Sequence, residues 1–384
     1  VSLIRAYGFR VDLPPAPVLD ETESADLTTA PARAAGTLAA DALHIAPPKD
    51  YWTQLDSPVP GTLFRGTLPD DHHARFVLRL PRDWNGRLVV AAASGVTDEN
   101  TYDLWFADFA LSRGYAFAAT DKGVRRVVLD GTTVLMPMTA QTTVARWPAR
   151  LEALTVLAKS LAQKARGRAP EKTYAVGLSN GGFVARRAAE LGFVDGAVEV
   201  SGVLWRADRG NLLRELPAAL RAARGGKYDE AALSALGFSA GGPWDAVRAF
   251  YHAAYWEASL GLFTADLDPS YEGTAADYDF DSRPKAVHDA VAAFSNTGDL
   301  RVPLHSISGE RDYLISCTGH ARAYEALVKS RGRGDLHRVE YAPDASHIDT
   351  NRESFPFVAP LMPRAHAAFD ALVARVEKTA AAAR

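Results

Sequence analysis

Among its 384 residues the chain has one cysteine, Cys317. That excludes an internal disulfide framework and any multi-cysteine metal cluster, and the residue itself reads as a small apolar side chain. Long apolar runs are missing too, since none approaches the roughly 20 residues that a membrane-spanning helix requires. Nor is there an excess of one charge: 43 basic residues stand against 46 acidic ones, mixed along the chain. No phosphate-binding face is announced, and a nucleic-acid partner is not expected. H-E-x-x-H is absent, and His72 and His73 sit side by side at the start of a strand-like segment, where neighbours face opposite sides. No metal and no other cofactor is expected. No basic segment followed by an apolar one opens the chain. It begins with Val1, so a start removed by processing implies an exported, secreted or periplasmic protein, and otherwise a cytoplasmic one.

What is present is a packed-protein composition, 47% hydrophobic and 23% charged, in a length that suits one large α/β domain or two ordinary ones. Residues 1–50 are rich in Pro, Ala, Thr and acidic residues and read as an arm over the main body. Phe76–Leu80, Leu88–Ala92 and Tyr115–Thr120 are short, apolar and bounded by turn residues, as strands are; Asn85-Gly86 reads as a hairpin between the first two. Helical spacing at Leu151, Leu154, Val156, Leu157 and Leu161 then alternates with the strand-like runs Thr173–Val176, Ala197–Val200, Val302–Ile307 and Val339–Tyr341. A long helix is expected from Phe357. This order predicts a doubly wound, mostly parallel sheet with helices on both faces, its core formed by residues 51–204 and 293–384. Residues 205–292 break the alternation with Ala-rich helical segments and many aromatics; the stretch is too long for a loop and reads as an inserted helical lid.

The segment TYAVGLSNGG places Gly177, Ser179 and Gly181 in G-x-S-x-G spacing, after a buried strand and before a helix. A serine on so tight a turn is held at strained angles with its hydroxyl clear of the sheet, and the glycines let neighbouring backbone approach. The plain alternative is a glycine-rich or phosphate-binding turn, but Ser179 stands where a G-x-G-x-x-G fingerprint needs its second glycine. The same spacing recurs as Gly237-Phe238-Ser239-Ala240-Gly241. There the preceding segment is helical, so Ser239 lacks the strand the motif requires.

Functional side chains of an open parallel sheet gather beyond the carboxyl ends of its strands. Asp299 precedes its strand, whereas Asp312 follows it in SGERD; Asp312 is the candidate acid, with Glu310 the nearest substitute. His337 precedes the last strand and His305 lies within its neighbour, but His347 follows in PDASHID and is the candidate base. The order Ser179, Asp312, His347 supports acyl transfer: imidazole takes the hydroxyl proton, and the carboxylate stabilises the imidazolium. The amide of Asn180 opens a helix and is one candidate oxyanion donor. The second comes from the loop after Leu88–Ala92, from Val96 or alternatively Gly95.

With GLSNGG, SGERD and SHID in this order, the chain resembles the α/β-hydrolase superfamily over residues 60–204 and 293–384. Within it, LPRDWNGRLVVAAASG and GYAFAATDKG resemble bacterial tannase and feruloyl-esterase-like enzymes and, more loosely, polyester depolymerases. Those tannase-like enzymes carry a G-C-S-x-G-G elbow whose cysteine is disulfide-bonded near the histidine; here Leu178 takes its place, and Ser94-Gly95 replaces the usual oxyanion loop. The reading is a serine hydrolase of carboxylic esters, acting on an aromatic or hydroxyacid ester, small or oligomeric, with Trp105, Trp205 and Trp256 as flat walls for the substrate. An amidase or peptidase using the same triad, and a non-catalytic binding protein on this fold, are the competing readings.

Overall fold

A computed structural model describes residues 19–69, 71–124, 127–128, 134–135, 143–208 and 210–382. The apolar start Val1–Ile4 lies outside them. Eleven strands are present among these residues: β1 (Leu19–Ser24), β2 (Gly61–Leu68), β3 (Asp71–Pro81), β4 (Arg87–Ala92), β5 (Ala116–Thr120), β6 (Val127–Val128), β7 (Val134–Leu135), β8 (Lys172–Leu178), β9 (Gly196–Val200), β10 (Leu304–Gly309) and β11 (His337–Ala342). Nine of them form one sheet in the order β1-β2-β3-β5-β4-β8-β9-β10-β11, while β6 and β7 pair with each other. From β5 to β11 neighbouring strands run parallel; β1, β2 and β3 add an antiparallel flank. The central strands are buried on both faces, which is why LVVAA and TYAVGL read as continuous apolar runs without alternation.

Helices α1 (Ala30–Ala35) and α2 (Ala40–His44) follow β1. On one face of the sheet lie α4 (Trp147–Arg166) and α5 (Asn180–Leu191); on the other lie α3 (Asp108–Leu111) and the last helix, α12 (Met362–Ala382). Left-handed glycines stop α4 and α5, Gly167 at φ 72 and Gly192 at φ 77. Between β9 and β10 the chain forms α6 (Leu212–Ala222), α7 (Glu230–Ala235), α8 (Trp244–Tyr251), α9 (Glu257–Leu267) and α10 (Lys285–Phe294). Asn211 and Asp229 cap α6 and α7 by accepting from Arg214 N and Ala232 N. A final short helix, α11 (Ala323–Ser330), precedes β11.

Three local expectations are corrected. Asn85-Gly86 does make a tight turn, with Gly86 at φ 88, but the strands on either side of it are not partners, because β5 lies between β3 and β4. Instead β3 forms its hairpin with β2; the turn signal reported local geometry, while the pairing was set by where the apolar β5 could be buried on both sides. Residues 19–24 are no mere covering arm, since β1 extends the sheet edge along β2. The last helix begins at Met362, not Phe357, because Pro356 and Pro360 disfavour helical backbone before them, whereas Pro363 suits a first turn.

Candidate active site

Four non-glycine residues among those described have positive φ: Lys122, Ser179, Ser201 and Asp344. They follow β5, β8, β9 and β11, so backbone strain collects beyond the carboxyl ends of the parallel strands. Such strain persists only where surrounding packing over-determines it, and it marks functional sites.

Ser179, at φ 58 and ψ −120, forms the turn between β8 and α5 and is 9% exposed. Its N–H donates to Val200 O at 2.9 Å, which ties the turn to β9. The flanking glycines are sterically required. A Cβ on Gly177 would lie 2.1 Å from Gly181 O, and one on Gly181 would lie 2.2 Å from Ala92 O and 2.3 Å from the Tyr102 hydroxyl. The turn therefore packs backbone to backbone against the end of β4, where the loop bearing Gly95 and Val96 begins. Leu178 N donates to the Tyr102 hydroxyl at 2.8 Å. Tyr102 has no exposed surface, burial pushes its phenol well above the usual range, and it opens a π-helical turn over Asp103–Ala107 in which Ala107 N reaches back to Tyr102 O. Nothing in the sequence pattern around Tyr102 singled it out; its role exists only because the loop after β4 folds onto the end of β8.

Asp312 follows β10 and has no exposed surface. One carboxylate oxygen accepts from Leu314 N and Ile315 N, each at 2.8 Å, and the other is 2.7 Å from His347 Nδ1. An anion so held is fully hydrogen-bonded though buried, and it fixes the ring's orientation, leaving Nε2 as the nitrogen available for proton transfer. His347, 4% exposed, lies in the loop after β11. Its ring meets Tyr251 of α8 edge to face at 6.3 Å, and the Tyr251 hydroxyl accepts from Asn351 Nδ2. The rejected candidates lie elsewhere. Asp299 pairs with Arg333 on the surface, Glu310 with Arg322, and His305 is a buried strand residue whose imidazole is pushed down to about 4 by burial. Ser239 is exposed, its hydroxyl donating to Ser234 Oγ at 2.9 Å. His73 is exposed on β3, and the side chain of His72 lies outside the described residues.

Asn180 is the first residue of α5, Gly95 has φ 47, and a Cβ at Gly95 would meet nothing within 4 Å. The amides of Gly95 and Val96 donate to no other described residue. The three tryptophans require correction. Trp105, Trp205 and Trp256 have no exposed surface at all, so none forms a wall for a ligand. Trp105 donates to Ile45 O and Trp256 to Tyr313 O, both at 2.6 Å, and Trp205 packs edge-on against Phe263 and Phe294. An indole buries a large area and needs one acceptor; the interior supplies both to Trp105 and Trp256, whereas Trp205 Nε1 has no hydrogen-bond partner among the described residues.

Residues 64–190, from β2 through the turn at Ser179 to the end of α5, match the family model described as tannase and feruloyl esterase. Among solved structures the chain is similar to feruloyl esterase B from Aspergillus oryzae, with a TM-score of 0.56 and 12% identity over 88% of this chain and 81% of that one. It is also similar to the rice cell wall degrading esterase LipA from Xanthomonas oryzae, with a TM-score of 0.53 and 13% identity over 94% of this chain and 98% of that one. The chain is an ester hydrolase of the α/β-hydrolase fold. At such identities the solved structures establish the fold, and the family segment carries the class of reaction. No curated protein sequence matches significantly. In this hydrolase the position of the elbow cysteine is filled by Leu178, 1% exposed within the core, and Cys317 lies buried in the π-helical turn that follows Asp312. No helix among the described residues is long and apolar enough to cross a membrane.

Proposed function

We propose that the protein hydrolyses carboxylic esters through an acyl-enzyme on Ser179, with His347 as base and Asp312 as the carboxylate that orients it. The observation that carries this reading is the 2.7 Å bond from Asp312 to His347 Nδ1, made beyond the same strand ends that strain Ser179. His347 Nε2 takes the proton of Ser179 as its oxygen attacks the ester carbonyl, the alcohol leaves with that proton, and water repeats the attack on the acyl group. The amide of Asn180 and that of Val96 or Gly95 receive the oxyanion.

The proposed domains are an arm over residues 1–50 that joins the sheet edge through β1, a core over 51–204 and 293–384, and a lid over 205–292. In support, the α8 region and the loop after His347 share an aromatic surface. Phe250 is 37% and Phe357 44% exposed; Phe250 meets Tyr251, Tyr255 and Phe355, and Phe357 meets Trp244 and Phe355. Through Tyr251 this surface reaches the imidazole. It supports an ester with an aromatic or otherwise flat apolar portion, monomeric or oligomeric, as the proposed substrate, with these rings and not the buried tryptophans as the proposed source of selectivity. A fluorophosphonate probe is expected to label Ser179, and a panel of matched aromatic and aliphatic esters and amides is expected to give turnover on esters, highest for the aromatic set. Labelling of another residue, or turnover confined to amides, would refute the proposal.

A further inference from the structure

Lys122 is a buried side chain beyond the carboxyl ends of the parallel strands for which acyl transfer has no direct use. It lies two residues past β5, has no exposed surface, and holds φ 62, a conformation that costs a lysine energy. Its Nζ donates to Ala93 O at 2.5 Å and sits 5.1 Å from the centre of the Trp147 ring. Burial pushes its pKa down to about 7 against the pull of Asp121 and Asp41. A methionine could fill the same space beside Trp147 without the desolvation that a buried amine suffers. Besides a charge drawn by Asp121 and Asp41, what the amine adds is a donor aimed at Ala93.

Ala93 is the first residue beyond β4. Its N–H continues the ladder to Thr120 O at 2.9 Å, so with Lys122 on its carbonyl both of its backbone polar groups are fixed. The next carbonyl, Ser94 O, accepts from Thr97 N and Thr97 Oγ1. Lys122 is anchored in turn, its N–H to Thr120 Oγ1 and its carbonyl by the Arg150 guanidinium. The loop is thus clamped on its carbonyl side. The amides of Gly95 and Val96 remain, next to the Ala92 carbonyl against which the Ser179 turn packs.

We infer that Lys122 is a positioning residue for ester hydrolysis: by holding the Ala93 carbonyl it sets the Ser94–Val96 backbone so that an amide there faces the oxyanion formed at Ser179. The inference rests on the oxyanion role proposed above for that loop. Lys122 touches neither substrate nor reacting atoms; its effect is expected in the transition state and not in substrate binding.

The test is Lys122→Met, assayed on p-nitrophenyl butyrate at a temperature where the variant is folded, with rates counted per site titrated by fluorophosphonate. A kcat lower by about 10- to 100-fold at a KM within about three-fold of the parent is expected, with affinity for a phenylboronic acid, which forms a tetrahedral adduct on serine, falling by the same factor. A purely packing role would lower Tm yet leave kcat per site and boronate affinity unchanged, and that result overturns the inference. Should Lys122→Met fail to fold, Lys122→Gln decides. Its amide ends short of Ala93 O, and a kcat lower by about five-fold or more is expected at unchanged KM, whereas parental kcat and boronate affinity overturn the inference. Failure of the underlying reading is separate, since Ser179 would then be unlabelled in the parent protein itself.

Discussion

Gly177–Gly181 and Gly237–Gly241 have the same spacing of glycine and serine but come to rest in different surroundings. The first is gripped between β8 and α5, with a serine at φ 58 and glycines that touch the backbone of Ala92 and of one another. The second follows α7 in a surface turn; a Cβ on Gly241 would meet nothing within 4 Å, and the Ser239 carbonyl serves as an acceptor for Tyr313 and Arg311. The difference lies in what precedes each serine. A buried strand fixes where the turn starts and a helix fixes where it goes, so strain can be stored between them. A turn after a short helix can relax, and its hydroxyl is left to a neighbouring serine.

The sharpest way to break this comparison is to remove each hydroxyl. Ser179→Ala is expected to lower ester turnover on the order of 10⁴- to 10⁶-fold with the fold intact, while Ser239→Ala changes it by less than about two-fold; steady-state assays with circular dichroism decide it, and the opposite ranking would reverse the assignment. The glycines give the next contrast. Gly181→Ala forces a methyl into Ala92 O and Tyr102 Oη and is expected to cost about 3 kcal/mol in denaturant unfolding and to remove activity. Gly241→Ala has open space but an unfavourable φ of 153, so about 1–2 kcal/mol is expected with turnover unchanged.

The smallest effect concerns strand interior against strand end for the histidines. His305 lies inside β10, and burial lowers its pKa to about 4. The unfolded chain takes up that proton near pH 6.5 and the folded one only near 4, so this side chain's contribution is complete above pH 6.5 and is lost as pH falls between those values. His305→Leu is therefore expected to flatten the fall of Tm between pH 6.5 and 4 relative to the parent, and an equal or steeper fall in the variant would refute it.

Much of the candidate site was legible in sequence because the chemistry proposed for it is tied to chain order. Asp312 and His347 each follow a strand of the parallel sheet, and that alone separated them from Asp299, His337 and His305. The tryptophans were misread for the converse reason: a residue in the loops and inserted helices beyond the strands can point inward or outward, and only packing chose the interior for Trp105, Trp205 and Trp256. Tyr102 carried no signal, and neither the GYAFAATDKG run that holds Lys122 nor the aromatics around Tyr251 pointed to the contacts these residues make, since each acts on a partner far along the chain: Leu178, Ala93 and His347.

Local sequence determined the strands, the strained serine turn and the order of the candidate catalytic groups, because hydrophobic period and glycine placement act over a few residues. Tertiary structure alone decided which strands became neighbours, which aromatics stayed at the surface, and which buried side chains hold the loops around Ser179. Those outcomes depend on burial and hydrogen bonding between segments that only the completed sheet brings into contact.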